Sequence, residues 1–180
     1  MYTVEKFFES MTEPEIAKGM YDLFEDIDLP EQIDGVKLTG AKDMTFKQMT
    51  ELRRGLETDA GDYETALMIG TVMLGSNVAA WSYKDYLPYM LSVLKYVHNS
   101  VKNESVKLKY NPTADEKKAG IDKLSVFREW GTVDAIVRSR PCYTHEDVYN
   151  LKYVDVFVMQ WIDLEHSKFE RKLMKIQSEK

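Results

Sequence analysis

The chain has 180 residues and a net charge of −6, with 44% hydrophobic and 30% charged residues. It is long and apolar enough for a packed core, which excludes wholesale disorder. A single cysteine, Cys142, excludes an internal disulfide framework and a multi-thiolate zinc site, and fits a reducing compartment.

The N-terminal stretch MYTVEKFFESMTEPE lacks a basic segment followed by an apolar run, so no signal peptide is expected. No apolar run reaches the length that crosses a bilayer. The charge is uneven: residues 1 to 34 hold ten acids against Lys6 and Lys18, a balance of −8, and the remaining chain carries +2. An acidic flank repels nucleic acid and suits a basic partner, although a solvated helix face explains it more simply. Ten methionines read chiefly as gap fillers of a core, with an adaptable binding surface as the second reading.

In chain order, Thr12 caps a first helix with Pro14 in its first turn. Ile16, Met20, Leu23, Phe24 and Ile27 then share one face until Pro30. PEQIDGVKLTGAKD is a loop with DG and TG turn signals, leaving room for at most a short strand or hairpin near residues 33–40. Thr45 to Gln48 has the pattern of a capping box, followed by a face of Phe46, Met49, Leu52 and Leu56. After the break at DAGDY, ALMIGTVMLG is apolar nearly all round and predicts a buried helix. Asp85 caps the next helix, with Pro88 in its first turn. Its stripe is Tyr86, Leu87, Met90, Leu91, Leu94, Val97 and Val101. The lysine-rich stretch 102–112 reads as a loop or hinge. Thr113 to Glu116 is a second capping box, followed by a helical region with Ala119, Leu124, Phe127, Trp130, Val133, Ile136 and Val137, in which Gly120 and Gly131 predict a break near Gly131.

The stretch PCYTHEDVYNLKYVDVF raises the one catalytic question. Cys142 as nucleophile with His145 as base would need a third, orienting group, which the local sequence does not supply. Thr144 followed by Glu146 and Asp147 instead reads as a helix start, with acids where the helix dipole favours them. A short helix from about His145 to Leu151 then precedes a long one from about Val154. His98 and His166 stand far apart in sequence, and no HExxH or His-x3-His pair exists. GxGxxG, GxxxxGK[ST] and GxSxG motifs are absent. The reading is therefore no catalytic residue, no metal, no cofactor and no enzyme. The acidic chain with its single lysine-rich loop reads as binding neither nucleic acid nor membrane.

Val154 to Ile176 forms the final helix, with Lys168, Arg171, Lys172 and Lys175 near its end, where cations oppose the dipole. Ile162, His166, Phe169, Leu173 and Ile176 recur at spacings of four, three, four and three, which suits a core or interface seam. The fold expected is mainly α: a compact multi-helix bundle with a long C-terminal helix, as one domain over 1–180. Within it, 102–112 is a hinge and 165–180 a projecting helical arm, with folding back onto the core as the alternative.

Two stretches carry a family resemblance. They are LTGAKDMTFKQMTELRRGLE, Leu38 to Glu57, and AGIDKLSVFREWGTVDAIVRSRPCYTHEDVYNLKYVDVFVMQWIDLEHSKFERKL, Ala119 to Leu173. Together they resemble small helical accessory proteins of tailed bacteriophages, similar above all to the tail assembly chaperones encoded beside the tape-measure protein. The resemblance implies a non-enzymatic protein of the bacterial host cytoplasm that covers apolar helices of tape-measure or tail-tube proteins. The alternative it leaves open is a structural virion subunit, such as a head–tail connector, ring or tail completion protein, which would self-associate. The surface expected to bind the protein partner is Trp161, Phe169, Leu173 and Ile176 of the last helix, with the acidic N-terminal flank second.

Overall fold

The computed structural model describes residues 3–10, 29–58 and 61–178. It is mainly α, with eight α-helices, two short 3-10 segments and one hairpin among the described residues. The helices are α1 (Val4–Ser10), α2 (Phe46–Leu56), α3 (Asp62–Leu74), α4 (Tyr83–Lys107), α5 (Ala114–Lys118), α6 (Arg128–Ser139), α7 (His145–Asn150) and α8 (Tyr153–Ser178). The helix expected over Thr12 to Ile27, and most of the acidic flank, lie outside the described residues.

The chain divides into two compact units, where the sequence suggested one domain: Met1–Met44 with Gln48–Asn99, and Thr45–Lys47 with Ser100–Lys180. In the first unit, β1 (Gln32–Ile33) and β2 (Val36–Lys37) pair antiparallel across Asp34 and Gly35. Both loop residues have positive φ, 48° and 77°, as a two-residue hairpin turn requires. Val4 and Phe7 of α1 are buried, and the Phe7 ring stacks on Tyr83 at 4.8 Å. The Val4 N–H donates to the Trp81 carbonyl at 2.9 Å. Met44, Met49, Met73 and Met90 are all buried, which matches the gap-filling reading of methionine.

The apolar run is helical from Ala66 to Leu74, and α3 begins four residues earlier, at Asp62. Ala66, Ile69, Gly70 and Met73 form its buried face, and Gly75 ends it in the left-handed region with φ 63°. The Tyr86 hydroxyl donates to the Ala66 carbonyl at 2.6 Å, which ties α4 to α3, and burial drives its pKa upward. The α4 helix starts before Asp85, and the N–H groups of Asp85 and Tyr86 both reach the Ser82 carbonyl. Pro88 therefore sits in the second turn and leaves the Lys84 carbonyl without its helical partner.

Gly70 is a close approach. A Cβ there would meet Val78 Cγ1 at 2.5 Å and the Ser76 carbonyl at 3.1 Å, and Val78 is itself fully buried. The gain in helix propensity from Ala is smaller than this overpacking, so Gly70→Ala should destabilise the protein by about 2 kcal/mol. A urea midpoint equal to wild type would show that Val78 can yield.

In the second unit α4 continues to Lys107, so the first half of the expected 102–112 loop is helical. The Thr113 capping box is present, with the Glu116 N–H donating to Thr113 Oγ1 at 3.2 Å. The break expected near Gly131 is found three residues before it, at Arg128. There φ is 43°, and a 3-10 segment, Ile121–Phe127, hands over to α6. Gly131 itself lies inside α6. Phe46, Val133, Ile136, Val148, Tyr153 and Val156 form a small core. The Phe46 N–H donates to the Leu151 carbonyl at 2.8 Å, which pins Thr45–Lys47 to the α7–α8 junction.

Candidate functional site

The capping box at Thr144 decides what Cys142 and His145 are. Thr144 Oγ1 accepts from the Asp147 N–H at 3.1 Å, and Asp147 Oδ2 accepts from the Thr144 N–H at 2.8 Å. His145 thus occupies the first turn of α7. Its ring packs beside Trp130 at 6.1 Å, with Nε2 4.0 Å from Asp134. Cys142 is exposed. Bonds from the Thr144 hydroxyl and N–H hold the Asp147 carboxyl below the usual carboxylate range. A lowered carboxylate stabilises the fold above its unfolded pKa, and that contribution is lost as the pH falls through the folded value. Asp147→Asn should therefore melt below wild type at neutral pH, with the gap narrowing by about pH 3. A gap equal at both pH values would mean that the charge plays no part.

Two apolar features distinguish this unit. The first is a cleft of about 920 Å³, floored by Leu108, Leu124, Phe127, Trp130, Ile136 and Leu164. Its polar rim includes Asp134, Arg138 and Gln160, and Asp134 pairs with Arg138. Ile121, Leu124 and Phe127 recur every third residue, so the 3-10 turn eclipses them into one ridge, and Trp130 joins the cleft from the first turn of α6. The sequence placed Leu124, Phe127 and Trp130 in a helical region without showing the cleft, although their strict spacing of three carried the signal. Phe127 and Trp130 remain exposed.

The second feature is the two-sidedness of α8. At about 100° per residue, Tyr153, Gln160 and Arg171 fall on one side. Tyr153 donates to Glu104 at 2.8 Å, Gln160 to Thr132 at 3.0 Å, and Arg171 to Glu116 at 2.7 Å while lying over the Tyr110 ring. Arg171 thereby ties the second half of the last helix, where the sequence left a projecting arm and a fold-back both open, to the α5 cap. The opposite side carries Ile162, Phe169, Leu173 and Ile176, all exposed, with Phe169 at 65%, Leu173 at 42% and Ile176 at 48%. His166, on the same side, is exposed too. Of the four residues expected to bind a partner, Phe169, Leu173 and Ile176 share this outer stripe. Trp161 does not: it turns to the flank, half buried, with Lys107 Nζ 4.7 Å from its ring centre.

Among the described residues, no group of three or more His, Cys, Asp or Glu side chains converges to hold a metal, and no helix is long and apolar enough to cross a membrane. No family model, no curated protein and no solved structure matches the chain.

Proposed function

We propose that this chain is a non-enzymatic assembly protein of a tailed bacteriophage, acting in the host cytoplasm as a tail assembly chaperone for tape-measure or tail-tube proteins. The observation that supports this reading is the outer stripe of α8. A row of exposed apolar side chains at heptad spacing is suited to covering another helix, and coverage needs burial rather than directed chemistry. The cleft floored by Phe127 and Trp130 offers a second apolar seat in the same unit. Apolar surface grouped on one face is costly to leave in water, which supports a binding role.

The test is an affinity capture of the tagged full chain from its producing cells, with mass spectrometry of what it retains. Tape-measure or tail-tube protein in the eluate, with the bait absent from finished particles, is the expected result. Bait found in finished particles beside portal or capsid proteins would make the chain a virion subunit instead. Recovery of no phage protein would end the reading.

A further inference from the structure

The outer stripe has a fixed pattern as well as an apolar character. From Ile162 to Ile176 it runs about 21 Å along α8. In heptad terms Ile162, Phe169 and Ile176 take one seam position, and His166 and Leu173 take the other. Glu165 and Lys172 line one flank of this seam, and Asp163 and Glu170 line the other.

From this pattern we infer that the stripe seats a second copy of this chain, with the two α8 helices antiparallel. A parallel pair sets Glu165 against Glu170 of the other copy, twice, and is disfavoured. An antiparallel pair sets Ile162 against Leu173 of the second copy and His166 against Phe169. That register brings Glu165 beside Lys172 of the second copy, and the two-fold axis makes the pair twice. On the other flank Asp163 approaches Glu170, but Arg140 already neutralises Asp163 through two bonds of 2.8 Å. Within one chain Glu165 is held by Lys168 at 2.7 Å, an exposed pair that exchanges at little cost.

The contact is small. A stripe about 21 Å long and about 10 Å wide offers on the order of 200 Å² per copy, against the ~800 Å² per partner of a stable complex. The dimer is accordingly reversible, and a client helix that takes the same face displaces the second copy. That last consequence rests on the client-binding reading; the dimer itself does not.

Sedimentation of the purified full chain across a concentration series, with no client present, tests the inference. A concentration-dependent dimer is expected, lost in Phe169→Asp. Glu165→Lys and Lys172→Glu should each weaken it by about three- to tenfold, and the double exchange should restore it. A monomer at every concentration overturns the inference, as does a dimer indifferent to Phe169→Asp. Tighter dimerisation of Glu165→Lys overturns the antiparallel register, because only a parallel pair would set the introduced lysine against Glu170 of the second copy. Capture of tail proteins is read in a different experiment, so either proposal can fail alone.

Discussion

Replacing Phe169 and Leu173 by Asp together is expected to abolish partner capture while leaving the helical content unchanged. Both side chains lie on the outer face of α8 and are 65% and 42% exposed, so neither carboxylate enters a dry interior. The cost to the helix is confined to poorer propensity and an unfavourable dipole interaction near its C-terminus, about 1 kcal/mol in all. The cost to binding is larger. Each apolar side chain contributes about 1.5–3 kcal/mol when fully buried against a partner, so losing both weakens the complex by more than about a hundredfold. Circular dichroism and the affinity capture measure the two effects separately. A loss of helicity in the double variant would show that the stripe is core and would sink the binding reading.

On the same helix, Val156→Asp should do the opposite. Val156 is 0% exposed and belongs to a small core with Val133, Ile136, Val148 and Tyr153. An unpaired charge in such a place costs about 3–5 kcal/mol. With so few buried side chains to compensate, unfolding of Ser100–Lys180 is the expected outcome. Hydrogen exchange would show it as lost protection over α6 to α8. Native protection in that region would mean that the interior admits water and the core is not where the burial pattern puts it. The pair of variants separates the face that holds the fold from the face that meets a partner.

Much of the fold was legible because the cues are local. Thr113 and Thr144, each followed three residues later by an acid, named two helix starts, and both capping boxes are present. The Asp34-Gly35 pair marked the hairpin, since few other residues accept positive φ in succession. The α8 start was placed within a residue, at Tyr153 against an expected Val154. Local cues failed where a non-local packing term outweighed them. Lys102 to Lys107 is polar and reads as loop, yet the turn is stabilised by continuation of α4 and by the Tyr153–Glu104 bond. The break read near Gly131 is present, but at Arg128, where the 3-10 segment meets α6, while Gly131 itself is helical.

The candidate surface divides the same way. Heptad spacing by itself determined that Ile162, His166, Phe169, Leu173 and Ile176 share one face, because 3.6 residues per turn is a property of any helix. Which face is turned inward is not a property of the helix. Only the tertiary structure decided it, through Tyr153, Gln160 and Arg171 finding partners on α4, α6 and α5, and it assigned Trp161 to the flank under Lys107. The sequence by itself determined the class of fold, the caps and the periodicity, each set within a few residues by backbone hydrogen bonding. The cleft and the exposed side of α8 depend on contacts between residues up to 61 positions apart, such as Arg171 and Tyr110, and such contacts exist only once the chain has packed.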